Sequence, residues 1–79
     1  MADNHIMRFD IDEFTERLKT LRESKNLTTV KLGKALGISG ATISRWENGK
    51  RKPNVENIYN IADFFRITSD YLIGLKQKT

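Results

Sequence analysis

Apolar residues recur along this chain at three- and four-residue steps, and no stretch of useful length alternates with period two. Phe14, Leu18 and Leu21 share one face of a first helix, predicted over residues 11–24. Asp10 and Glu13 form a capping-box pattern at its start. Arg17, Lys19, Arg22 and Lys25 gather in its later turns, where cations suit the helix dipole. Lys25-Asn26 is a short break, and Leu27 is a predicted anchor. Thr28 is the N-cap of a second helix of about eight residues, with Val30, Leu32 and Leu36 as its apolar side and Gly37 as its left-handed stop. Ser39 caps a third helix, 40–47, which carries Ile43 and Trp46 on one face and ends at Gly49. Pro53 keeps the residue before it out of a helix. Asn54 caps a fourth helix striped by Val55, Ile58, Ile61, Ala62 and Phe65. Ile67 and Thr68 open a last short helical turn holding Tyr71 and Leu72, which Gly74 stops.

The expected fold is therefore all-α, five short helices spanning 11–75, between an N-terminal arm, 1–10, and a frayed tail, 76–79. The second and third helices are joined by Gly37-Ile38-Ser39, a tight turn containing glycine. That is the helix-turn-helix layout, in which the second member enters the DNA major groove. Gly33 fits it: a glycine inside so short a helix costs about 1 kcal/mol relative to alanine and implies a close approach of the next helix.

Composition narrows the chemistry. A chain of 79 residues allows one compact domain, and without cysteine it has neither a disulfide nor a Cys-based zinc site. The single histidine, His5, offers no His pair for a metal and makes an imidazole triad improbable. There is no phosphate loop of the GxxxxGK type, so an enzyme is poorly supported and no cofactor or metal is implied. No run is apolar enough to span a bilayer or act as a secretion signal, and the reading is cytoplasmic, with no membrane partner. The formal net charge is only +4, but it is unevenly spread. Residues 1–16 carry −4; residues 17–52 carry ten basic groups against Glu23 and Glu47, a net +8; residues 53–79 balance at zero. A positive middle segment points to an anionic partner.

Four blocks carry a family resemblance: RLKTLRE (17–23), LTTVKLGKALGIS (27–39), TISRWENGKRKP (42–53) and TSDYLIG (68–74). From Arg17 to Gly74, about three-quarters of the chain, the sequence resembles the lambda-repressor-like domain of the Cro/XRE helix-turn-helix regulators. The resemblance implies five helices and sequence-specific binding of double-stranded DNA. It also implies a homodimer on a near-palindromic operator and a role in transcription regulation, with a repressor as the first reading.

Carried onto this chain, the family's base contacts fall on Gly40, Ala41, Ser44 and Arg45, with Thr42 beside them. Helical spacing agrees that Ala41, Ser44 and Arg45 point away from the Ile43–Trp46 face. Arg45 suits guanine O6 and N7, and Ala41 and Thr42 suit a thymine methyl. Phosphate contacts are expected from Thr28, Thr29 and Ser39 at helix N-termini, and from Asn48, Lys50, Arg51 and Lys52 after the third helix. Thr29 stands where the family commonly has glutamine. Trp46 reads as core. Glu47 beside Arg45 resembles a catalytic acid, but the resemblance implies an ion pair with Arg22 that fixes the angle between helices. Phe64, Tyr71, Ile73 and Leu75 are the apolar groups expected to pair two copies through the C-terminal helices. An antitoxin that binds a protein partner is the alternative reading. RNA binding is disfavoured because exposed aromatics for base stacking are not evident.

Overall fold

The computed structural model describes residues 11–74. The arm 1–10, with His5 and Asp10, lies outside the described residues, as do Leu75 and the tail 76–79. Five helices follow in order: α1 (Ile11–Ser24), α2 (Thr29–Leu36), α3 (Gly40–Glu47), α4 (Val55–Phe65) and α5 (Ser69–Ile73). No strand occurs among the described residues, so the all-α expectation holds.

A side chain starts each of the last four helices. Thr28 Oγ1 accepts from the Lys31 N–H at 3.0 Å, Ser39 Oγ from Thr42 at 3.1 Å and Thr68 Oγ1 from Tyr71 at 3.0 Å. Asn54 and Asn57 form a reciprocal capping box with bonds of 2.7 and 3.3 Å. Such caps contribute typically about 1 kcal/mol each, because they satisfy N–H groups the helix leaves open.

The first four helices also end alike. A left-handed residue (Asn26, Gly37, Gly49 or Arg66) is followed by one whose N–H returns to a carbonyl five residues back. These bonds run from Leu27 to Arg22, Ile38 to Gly33, Lys50 to Arg45 and Ile67 to Ala62, at 3.2, 2.8, 2.8 and 2.9 Å. The ending turns the chain back over its own helix, usually with an apolar contact. Leu27, Ile38 and Ile67 obey this and pack against the core. Lys50 does not: it is exposed, so the turn after α3 sends a cation outward where the others send an apolar group inward.

The core comprises Phe14 and Leu18 of α1, Leu32 of α2, Ile43 and Trp46 of α3, Ile61, Ala62 and Phe65 of α4, and Leu72 of α5. Trp46 is 2% exposed and meets the Phe14 ring edge-on at 6.3 Å, which makes it a packing residue. Gly33 is buried beneath the turn into α3. A Cβ there would lie 2.5 Å from Ile38 O and 3.0 Å from Gly40 N.

Two residues assigned to apolar stripes face solvent instead. Val30 is 56% exposed, because two residues of helix place it about 200° around the axis from Leu32. Val55 is 84% exposed, since it is the first residue of α4 and overhangs the edge of the core. Tyr59 and Tyr71 are also exposed, against the expectation of no accessible aromatics; the Arg17 guanidinium covers the Tyr71 ring at 4.6 Å.

Candidate nucleic-acid interface

The expected site residues occupy α3, the N-terminus of α2 and the loop after α3. Ile43 and Trp46 bury one side of α3, which leaves Ala41 and Arg45 exposed and Thr42 and Ser44 half-buried at its margins. Arg45 pairs with no carboxylate among the described residues. Its guanidinium is therefore free to present five donors in a planar fork.

The hydroxyls at the helix starts are partly committed. Thr28 Oγ1 and Ser39 Oγ each accept a capping bond, and Ser39 Oγ lies 2.9 Å from Thr42 Oγ1. Capping uses an oxygen lone pair and leaves the first N–H groups of α2 and α3 open, at the positive end of each helix dipole. Those N–H groups, rather than the hydroxyls, are the stronger feature for an anionic phosphate. Thr29 opens α2 and is half-buried. Asn48 caps the C-terminus of α3, with Nδ2 donating to Ser44 Oγ at a long 3.4 Å. Lys50, Arg51 and Lys52 are exposed on the loop beyond, and the Lys50 N–H bond to Arg45 O ties that loop to α3.

The frame beneath this surface is polar at one point. Arg22 Nε donates to Glu47 Oε2 at 2.7 Å and its Nη2 donates to Oε1 at 3.0 Å, a bidentate pair. Arg22 Nη1 also donates to Leu27 O at 2.7 Å. One guanidinium thus joins the end of α1, the turn into α2 and the end of α3. Its side chain is 13% exposed and that of Glu47 is 7% exposed. The hydrogen bond to Glu47 raises the Arg22 pKa above its ordinary value, against the opposing effect of burial, with the charges of Glu47 and Glu23 assisting.

The basic middle segment therefore divides. Arg22 is bound to Glu47, and Arg17 is held by Glu13 at 2.9 Å and by the Tyr71 ring. Arg45, Lys50, Arg51 and Lys52 face outward around α3. Phe64 packs edge-on against Phe65 at 5.0 Å and is half-buried against the core. Tyr71 is exposed, and Ile73 lines an apolar groove of about 460 Å³ with Pro53, Val55, Ile58, Tyr59 and Ser69. The sequence reading placed Val55 in the α4 stripe and did not single out Tyr59. Their i, i+4 spacing, which places them on one side of α4, was the available signal.

A family model described as helix-turn-helix matches residues 18–72. The chain is 46% identical over 62 residues to the HTH-type transcriptional activator BcrR of Enterococcus faecalis, covering 78% of this chain and 30% of that protein. It is 33% identical over 58 residues to the Repressor protein C2 of Salmonella phage P22, covering 73% of this chain and 27% of that protein. The chain thus spans less than a third of the length of either relative. The crystal structure of the P22 c2 repressor in complex with a synthetic operator superposes with a TM-score of 0.74 at 30% identity, over 80% of this chain and 96% of that one.

Proposed function

The chain belongs to this helix-turn-helix family, and from that premise we propose that it binds double-stranded operator DNA sequence-specifically and regulates transcription, as a repressor in the first instance. The observation that carries this reading is the pairing of an exposed α3 face, Ala41 and Arg45, with an outward cationic loop, Lys50 to Lys52, on a partly buried Arg22–Glu47 frame. Arg45 reads guanine, while Ala41 and Thr42 meet thymine methyls. The open N–H groups at Thr28–Thr29 and Ser39–Gly40, together with Asn48 and the basic loop, hold phosphates. The protein works where DNA is exposed to it, in the cytoplasm. No helix among the described residues is long and apolar enough to cross a membrane.

Selection from a random duplex pool at stated salt tests this. The expected product is a near-palindrome whose half-sites lie about 34 Å apart, bound with an affinity that falls as salt rises. Affinity independent of salt would overturn the reading. A reporter driven through the selected site is expected to fall when the protein is supplied; a rise would assign activation, as the name of the Enterococcus faecalis relative suggests.

Two copies pair through the apolar groove between α4 and α5. The exposure of Val55 and Tyr59 at its rim supports this, as does the two-fold symmetry that a near-palindrome requires.

A further inference from the structure

We infer that Val30 is a specificity-determining residue of the DNA site, reading a thymine 5-methyl group beside the start of α3. The inference rests on the reading of α3 as the DNA-facing helix. Position 40, expected to contribute a base contact, has no side chain. A Cβ built on Gly40 would lie 3.0 Å from Val30 Cα, 3.0 Å from Val30 Cγ2 and 3.1 Å from Val30 N. The first turn of α2 therefore occupies the space that a side chain at the head of α3 would fill. Val30 remains 56% exposed after making this contact, so covering Gly40 does not account for the rest of its apolar surface.

The surroundings give that surface its chemistry. Ala41, next along α3, is exposed and presents only a methyl group. The flanking hydroxyls of Ser39 and Thr42 lie 2.9 Å apart and bond to each other. Val30, Gly40 and Ala41 thus form a small apolar patch at the head of the recognition helix. Base edges in the major groove offer one apolar group, the thymine methyl. A branched apolar residue in the first turn of a short helix has no propensity advantage there, and covering Gly40 leaves more than half of Val30 in water, which a methyl contact would bury.

The test replaces each thymine of the selected duplex in turn by deoxyuridine, which removes the methyl and nothing else. Among the thymines whose methyl is felt, one per half-site is expected to be sensed through Val30, with about a four-fold loss of affinity for the wild-type protein, the equivalent of one buried methyl. The same replacement should leave the affinity of Val30→Ala unchanged, while Ala41→Gly still senses it. Val30→Ala should keep its melting temperature, since the side chain is largely exposed, and its salt dependence. A selected half-site without thymine would overturn the inference. So would equal losses for wild type and Val30→Ala at every position. Either outcome with salt-dependent binding intact removes this inference alone; failure to bind any duplex removes the DNA reading with it.

Discussion

Arg45 and Glu47 lie two residues apart on α3 and face opposite demands. Arg45 is exposed and unpaired by any carboxylate among the described residues, whereas the Glu47 side chain is 7% exposed and held by Arg22. Arg45→Ala is expected to cost about 1–3 kcal/mol of DNA binding and to relax preference at one base position. A loss uniform across sequences, measured on a panel of single-base variants, would instead make Arg45 a phosphate contact. Glu47→Ala should leave Arg22 with only Leu27 O and cost about 3 kcal/mol of folding stability in urea denaturation. An unchanged midpoint would remove the structural role. Because the Arg22 pKa is raised in the folded state, its stabilising contribution is complete at every pH below the unfolded guanidinium value. It is lost only as pH climbs through the still higher folded value, so Arg22 stays charged across the neutral range. The separation of Arg45 from the Ile43–Trp46 face was legible from spacing alone. The third bond of Arg22, to Leu27 O, was not, because a backbone carbonyl carries no residue-type signature.

At the scale of elements, the α2–α3 junction depends on two glycines for different reasons. Gly37 has φ 74°, and a Cβ added there would meet nothing within 4 Å, so Gly37→Ala should cost only the left-handed backbone penalty, roughly 1 kcal/mol. Gly33 is buried under the turn, and a Cβ 2.5 Å from Ile38 O forces the backbone apart. Gly33→Ala should therefore destabilise despite the helix-propensity gain of about 1 kcal/mol that alanine brings. It should also weaken DNA binding, by moving the head of α3, while Gly37→Ala binds normally once folded. A Gly33→Ala variant that melts higher would contradict this packing. The loop after α3 behaves differently again, since Lys50 is tied back to α3 by the bond from its N–H to Arg45 O and yet is exposed. Lys50→Ala or Lys52→Ala should weaken binding to all sequences alike and flatten the salt slope by about one unit, with melting unchanged.

At the scale of the whole molecule, a helix-turn-helix domain gains specificity by presenting two copies of α3 at fixed spacing. Val55→Asp places a charge at an 84% exposed position on the rim of the α4–α5 groove. It should leave the fold intact, shift sedimentation toward monomer and weaken binding to paired half-sites more than to a single one. Wild-type protein that sediments only as monomer and forms 1:1 complexes on the operator would defeat pairing through this face. What the sequence alone determined was local: five helices, the caps at Thr28, Ser39 and Asn54, and the stripes of Ile43 with Trp46 and of Ile61 with Phe65. These depend on groups three or four residues apart, a separation that the helix itself fixes. The tertiary structure alone decided that Arg17 reaches Tyr71 across 54 residues, that Val30 covers Gly40 and stays exposed, and that Val55 overhangs a groove. Those outcomes follow from how the helices cross and where each one ends against the core, and no single periodicity encodes either.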